Sequence, residues 1–346
     1  MNTTARILLV GYYGYDNAGD ELLAKKSITL LSSVFKHPVF TVLSTKRVKQ
    51  DGISYIKRFS MLSLMTAILR TRYIVFGGGG LLQDKTSKKS LFYYLGILTL
   101  GWLFRKECYL IGQGIGPLES TFSKHCFAFL MRRMTHISVR DKLSYALLRR
   151  IGISPDRVLL ATDLAYYRGD TFMPHPKASM VGFSFRPMVF SDAVSQDLKR
   201  FISTLDADMA FLEFHKTTDL SALKTFYYHS LPGNIKSVWD MNNIFLNPGP
   251  LDPQLKLVIG MRFHALVFAS LYHLPFLALV YDDKVKQLAK FLGQEYVDLR
   301  QKGTVYTELT EKLQKIEQNY EHYQNQLVLT VPKLIEQANL NKLGFK

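Results

Sequence analysis

Two basic side chains bracket a phenylalanine in Gly260-Met261-Arg262-Phe263-His264. A guanidinium grips a carboxylate or phosphate through paired hydrogen bonds, and an imidazole gives or takes a proton near neutral pH. In extended geometry Arg262 and His264 point the same way, an anion clamp beside a proton carrier. The motif leaves an apolar run and opens an apolar helical stretch. Lys284, in Tyr281-Asp282-Asp283-Lys284, follows the next apolar run, and Arg186, in Phe185-Arg186-Pro187, ends an earlier one. Arg140, in Ser138-Val139-Arg140-Asp141, closes another strand, with Asp141 placed to cap the helix that follows. Cations at strand ends suit a small anion of several charges. The plainer alternative is structural: a satisfied core histidine with an arginine partner, and a surface salt bridge at Arg140.

A second group of residues could hold a polar ligand. Gly11-Tyr12-Tyr13-Gly14 runs into Asn17-Ala18-Gly19-Asp20-Glu21 and joins a strand to a helix. Glycines let a ligand approach the backbone, and a helix N-terminus favours an anion. Tyr12, Tyr13, Asn17 and Asp20 supply hydrogen-bonding groups suited to a sugar, and Asp20-Glu21 is placed to cap the helix. Gly77-Gly78-Gly79-Gly80 and Gly112-Gln113-Gly114-Ile115-Gly116-Pro117 follow two further strands. Tight turns are the alternative for all three. None is GxGxxG or a Walker loop, so nucleotide binding is not implied. The sequence shows no metal-ligand cluster, and no metal or cofactor is expected.

These residues need a frame. Strands are expected at Arg6–Tyr13, Val39–Ser44, Tyr73–Gly77, Glu107–Ile111, His136–Arg140 and Val158–Ala161. Helical periodicity lies between them, as at Asp20–Val34 and Lys142–Ile151. Residues 168–177 are rich in turn formers and read as a linker. After it come strands at Met180–Phe185, Met209–Phe214, Leu255–Ile259, Phe276–Val280 and Tyr296–Leu299, with a helix at Phe263–Leu271. Thr304–Asn341 reads as mostly polar helix, expected to pack back on the first domain. Alternating strands and helices predict parallel sheets flanked by helices. The fold class is therefore α/β with two Rossmann-like domains, 1–167 and 178–346, facing a cleft, and ligands at strand carboxyl ends.

Charge is divided unevenly. The 346 residues carry a formal +16, of which residues 1–150 hold +15 (23 Lys and Arg, 8 Asp and Glu) and the rest +1. The basic half is expected to meet something anionic. Lys85, Lys88 and Lys89 precede the apolar run Leu91–Phe104, and Arg105-Lys106 follow it. That run is too short to span a bilayer, so it is either a core helix or an interfacial one. Arg132-Arg133 and the stretch 57–72 could add to the same basic face. Two cysteines without CxxC spacing predict a reduced cytoplasmic protein, and no signal peptide is read at the N-terminus.

Taken in order, the motifs resemble the polysaccharide pyruvyltransferase family, especially its CsaB-like branch. The resemblance runs from Gly11-Tyr12-Tyr13-Gly14 through Gly77–Gly80, Gly112–Pro117, Ser138–Asp141, Thr162-Asp163, Arg186-Pro187 and Gly260–His264 to Tyr281–Val285. It implies two Rossmann-like domains in a GT-B-like arrangement. It also implies transfer of pyruvate from phosphoenolpyruvate onto a sugar as a ketal, with release of phosphate. The implied acceptor is a polyprenyl-diphosphate-linked saccharide for a cell-wall or surface polymer. By matching position, His264 is the implied general acid or base, and Arg140, Arg262, Lys284 and Arg186 hold phosphoenolpyruvate. With the acceptor against the N-terminal domain, Tyr13, Asn17, Asp20, Gly79, Gly80 and Gln113 become acceptor candidates. Phe263 and Asp283 depart from the family's usual Leu and Pro, and Asp283 puts an extra carboxylate beside Lys284. A lipid-linked acceptor implies peripheral association with the anionic inner face of the cytoplasmic membrane, through the basic domain and the 85–106 segment.

Three other readings compete. A GT-B glycosyltransferase using a sugar nucleotide would share the architecture and an anion site. A basic nucleic-acid-binding protein would explain the +15 half, but no recognition motif supports it. A catalytically inactive membrane scaffold would leave Arg140, His264 and Lys284 without a purpose.

Overall fold

Short runs rich in Val, Ile, Leu and Phe build two parallel sheets, each layered by helices. The structure, a computed structural model, describes residues 4–45, 52–85, 87–174, 177–188, 190–216, 218–227, 231–249, 255–301 and 305–345. Thr86, His175, Pro176 and Thr304, which fall in segments singled out above, lie outside the described residues. The chain divides into two compact units: Met1–Arg168 with Leu334–Lys346, and Gly169–Lys333.

The first unit runs β1 (Arg6–Tyr13), α1 (Ala18–Val34), β2 (Val39–Ser44), β3 (Ile53–Lys57), α2 (Met61–Arg70), β4 (Tyr73–Leu82), α3 (Lys88–Leu103), β5 (Glu107–Ile115), α4 (Thr121–Met131), β6 (His136–Val139), α5 (Lys142–Arg150) and β7 (Val158–Leu160). Its sheet order is β3-β2-β1-β4-β5-β6-β7. The second unit runs β8 (Met180–Ser184), α6 (Asp192–Thr204), β9 (Met209–Glu213), α7 (Asp219–Phe226), β10 (Ile235–Asp240), α8 (Met241–Leu246), β11 (Leu255–Gly260), α9 (Phe263–Leu271), β12 (Phe276–Val280), α10 (Asp283–Phe291), β13 (Glu295–Asp298) and α11 (Val305–Gln318). Its order is β10-β9-β8-β11-β12-β13. The last helix, α12 (Tyr320–Asn339), belongs to the second unit up to Lys333 and to the first from Leu334.

Both sheets are doubly wound, and each reverses its strand order once: between β1 and β4, and between β8 and β11. At such a switch point the connections leave in opposite directions and open a crevice at the carboxyl ends of the strands. The central strands are buried on both faces, which explains their unbroken apolar runs. The glycine segments are not turns, as expected, but continuations of strands: β4 carries Gly77–Gly80, and β5 extends to Ile115. Their register slips between Gly79 and Leu82. Gly77 must be bare because a Cβ there would meet Ser27 Oγ at 2.3 Å and Tyr13 Oη at 2.6 Å.

Near the C-terminus, Asn341 is buried in the first unit, where it accepts from Ser138 Oγ (2.6 Å) and donates to the Thr162 carbonyl (3.3 Å).

Candidate active site at the strand tips

In the second unit, β11 ends at Gly260 on the switch point, and α9 begins three residues later. Arg262 is the N-cap of α9 with extended backbone, and His264 lies in the first helical turn. The side chains are thus presented by a helix start rather than by the extended strand expected. Asp219, fully buried at the start of α7, holds Arg262 from the side. Its Oδ2 accepts from Arg262 Nε at 2.6 Å and its Oδ1 from Nη2. The same carboxylate accepts from the backbone N–H groups of Phe214 and His215 (3.2 and 3.0 Å), so it also fixes the turn after β9. A charge held by two N–H groups along one edge has little freedom to wander, and its other edge is left for a ligand. The ring of Phe263 meets that of His264 edge-on at 5.4 Å.

Arg186, just beyond β8, lies on the other side of the switch point. It donates to Tyr281 Oη at 2.8 Å, and its guanidinium stacks over that ring at 4.9 Å. Lys284 sits in the first turn of α10, 3.4 Å from Asp282, with its side chain about a third exposed. The extra carboxylate of Asp283 is turned away from this lysine: it accepts from Arg300 Nη1 at 2.8 Å. Arg300 in turn donates to both oxygens of buried Asp298, which also accepts from Lys286. The Arg300 hydrogen bonds hold the Asp298 carboxyl well below the usual range. The departure at 283 is therefore absorbed by a neighbouring network, leaving Lys284 its own partner.

In the first unit, Asn17, Asp20, Gly79 and Gly80 gather at the β1–β4 switch point. Asn17, not Asp20 or Glu21, caps α1: its Oδ1 accepts from Gly19 N–H, and its Nδ2 donates to Asp20 Oδ2 at 2.6 Å. Glu21 instead accepts from the Gly14 N–H at 2.7 Å. Gly79 has φ +85°, and a Cβ there would stand 3.6 Å from Asp20 Oδ1. Around Gly80 a Cβ would find open space, so backbone is presented bare beside a carboxylate.

Two expected acceptor residues are corrected. Tyr13 is buried, its hydroxyl donating to the Gly77 carbonyl at 2.7 Å and its ring lying where a Gly11 side chain would be. Gln113 is fully buried and spends its amide N–H groups on the carbonyls of Phe76 and Gly78, at 3.2 and 2.6 Å. Both clamp the glycine strand rather than face a ligand. Arg140 is also deep: it donates to Asp163 at 2.8 Å and to Asp141 at 3.3 Å, with its side chain 6% exposed. Gly114 leaves room for it, since a Cβ there would sit 2.7 Å from Arg140 Nε. Asp141 caps α5 as expected.

The 85–106 segment is core and surface at once. Leu91, Tyr94, Leu95, Ile97 and Leu98 of α3 are buried, while Phe92, Trp102 and Phe104 are exposed. On α4, Phe122 is 67% exposed and packs against Phe92, and Arg133 lies over both Phe129 and Trp102. Between the helices lies a groove of about 440 Å³ lined by Phe92, Gly96, Thr99, Cys126 and Phe129. Lys88, Lys89, Arg105, Arg132 and Arg133 are exposed nearby. Arg58 does not join this basic face, because it is buried. No helix among the described residues is long and apolar enough to cross a membrane.

Sequence reasoning did not find Asp219 or Arg300, and it gave Tyr281 no role of its own. Asp219 reads as an ordinary helix-start acid, and only folding brings it to Arg262, 43 positions on.

Against known proteins, the sequence model of the polysaccharide pyruvyl transferase family matches residues 17–283. No curated protein sequence matches. Among solved structures, the chain is similar to Anabaena HepE in complex with UDP-glucose, with a TM-score of 0.60 at 10% identity, covering 96% of this chain and 98% of that one. It is similar to a UDP-GlcNAc 2-epimerase from Neisseria meningitidis bound to UDP-GlcNAc, with a TM-score of 0.57 at 10% identity and 96% and 97% coverage. It is also similar to the lipopolysaccharide outer core galactosyltransferase WaaB, with a TM-score of 0.53 at 8% identity and 98% and 99% coverage. At these identities the likeness concerns fold alone: two Rossmann-like domains of GT-B type.

Proposed function

Since this chain belongs to the polysaccharide pyruvyl transferase family, we propose that it moves pyruvate from phosphoenolpyruvate onto a saccharide, forming a ketal and releasing phosphate. The observation that carries this reading is Arg262, fixed by Asp219 two residues before His264 at the tip of β11. Phosphoenolpyruvate places a phosphate and a carboxylate on one small frame, and fixed cations are the chemical answer to it. Arg262, Arg186 and Lys284 are assigned to the donor. Arg140 is a weaker donor candidate, because it must release Asp163 or Asp141 to reach an anion. Asn17, Asp20, Gly79 and Gly80 are assigned to the acceptor.

In the reaction, a proton is added to the methylene carbon of phosphoenolpyruvate, which becomes the methyl group. The central carbon, now electrophilic, takes a sugar hydroxyl. The carbon–oxygen bond to phosphate breaks, and a second hydroxyl closes the ketal. Of the two hydroxyl protons, one balances the methyl group and the other leaves with phosphate. His264 is assigned as the donor to the methylene carbon or the base on the hydroxyl. The exposed aromatic and basic face of α3 and α4 supports a peripheral seat on an anionic membrane, where a lipid-diphosphate-linked acceptor would lie.

Phosphate release from phosphoenolpyruvate, measured across a panel of saccharide acceptors, tests the reading. Acceptor-dependent release is expected. Turnover of a nucleotide sugar with none from phosphoenolpyruvate would replace it with a glycosyltransferase.

A further inference from the structure

Arg58 follows β3 at the tip of the first unit's sheet and is 6% exposed. Five aromatic rings surround its guanidinium carbon: Tyr94 at 4.9 Å, Tyr93 at 5.0, Tyr12 at 5.3, Phe59 at 5.7 and Tyr15 at 5.8 Å. Tyr12 and Tyr15 stack on each other at 4.0 Å. Among the described residues Arg58 forms no ion pair; its Nε and Nη1 are buried without a hydrogen-bond partner, and the neutral hydroxyls of Tyr93 and Tyr94 are the polar groups within reach of the guanidinium. Burial raises the hydroxyl pKa values of Tyr12, Tyr93 and Tyr94, so none of these rings supplies a negative charge at neutral pH.

A guanidinium keeps its charge, and a buried charge without a counter-ion is costly. Aromatic faces and two neutral hydroxyls offset part of that cost but leave the N–H groups of Nε and Nη1 unmet. An oxyanion with two acceptor oxygens answers both needs. Nearby, Asp20 is close enough to raise the pKa of Tyr12 and of Tyr94 and holds Asn17, while ring faces such as Tyr12 suit the apolar face of a sugar.

We propose that Arg58 anchors a phosphate subsite in the first unit, which takes the phosphate of a glycosyl phosphate or diphosphate. The sugar lies toward Asn17 and Asp20. Tyr15, half-buried and the farthest ring from the guanidinium, is the cover that turns aside. The subsite deepens the acceptor assignment above and rests on it for the identity of the sugar, though not for the phosphate.

Calorimetric titration with inorganic pyrophosphate tests the subsite without a sugar. With phosphoenolpyruvate present to occupy the donor cations, wild type is expected to bind it, Arg58→Met at least about tenfold more weakly, the loss of one charge-assisted contact, and Lys236→Ala, at an exposed surface pair, like wild type. Without ligand, Arg58→Met should melt at or above the wild-type temperature, because an uncompensated charge has been replaced by an apolar chain. A much lower melting temperature with unchanged pyrophosphate binding would overturn the proposal. Should Arg58→Met not fold, Tyr15→Ala decides: tighter pyrophosphate binding supports the covered subsite, and unchanged or weaker binding refutes it. Glucose 1-phosphate in buffer and geranylgeranyl diphosphate in micelles then separate a soluble from a lipid-borne source. Failure of phosphoenolpyruvate turnover alongside Arg58-dependent pyrophosphate binding would remove the pyruvyl transfer reading and leave the subsite standing.

Discussion

The two units spend their charge in opposite ways. Residues 1–150 hold +15, yet at the first unit's strand tips Arg140 is closed between two carboxylates and Arg58 is walled in by rings. Part of its surplus lies exposed on helices and the turns that flank them, as at Lys88, Lys89, Arg105, Arg132 and Arg133. The rest of the chain nets +1, yet the second unit's tips offer Arg186 held by a tyrosine, Lys284 beside one acid, and Arg262 gripped along one edge. Net charge therefore describes a surface, whereas the partner of each cation distinguishes one set of strand ends from the other.

The largest expected effect tests the chemistry of the second unit. His264→Ala should lower ketal formation by roughly 10²–10⁴ with the fold intact, the usual worth of a general acid or base. Wild-type turnover in that variant would remove His264 from the reaction.

Next comes a paired substitution aimed at the contrast itself. Arg140→Ala takes from buried Asp163 its guanidinium partner, and should cost about 3–5 kcal/mol in denaturant unfolding. Lys284→Ala, at a partly exposed pair, should cost less than about 1 kcal/mol while raising the KM for phosphoenolpyruvate. The reverse pattern would mean that Lys284, not Arg140, is the structural cation.

A smaller effect concerns the network that absorbs Asp283. The folded-state pKa of Asp298 is depressed, chiefly by Arg300, so its stabilising contribution is present above the unfolded value and fades as pH falls below roughly 4. Asp298→Asn should thus destabilise by about 1–3 kcal/mol at neutral pH, with the difference from wild type shrinking in acid. A pH-independent difference would show that packing, not the ion pair, is responsible.

The smallest effect lies on the helical face. Phe122→Ser should weaken co-sedimentation with anionic vesicles by roughly tenfold, the worth of one buried aromatic side chain. Turnover on a water-soluble acceptor should persist. No vesicle binding by wild type at low salt would remove the membrane seat.

Much of the frame was legible because central strands are buried on both faces and read as unbroken apolar runs. Phe263–Leu271 has the expected bounds, and Val39–Ser44 and Phe276–Val280 match as strands. The edge strands Ile53–Lys57 and Ile235–Asp240 were missed: they alternate half-exposed positions and carry too weak a pattern. Glycine misled in the other direction, since its rarity in strands made Gly77–Gly80 look like a turn, while Ser27 and Tyr13 require bare backbone there. At the site, residue types were legible and partners were not. Nothing local to Tyr13 or Gln113 says that their polar atoms are taken by carbonyls of the glycine strand, and nothing local to Arg58 says that four tyrosines close over it.

Asn341 sets an order of events at the ribosome. The first unit is translated almost whole before the second, yet Ser138 and the Thr162 carbonyl wait for an asparagine made nearly two hundred residues later. Until Asn341 has emerged, Ser138 keeps only its bonds to the Leu110 carbonyl and the Gly112 N–H, and the Thr162 carbonyl lacks its amide donor. The first unit's final consolidation therefore follows synthesis of the second unit rather than preceding it.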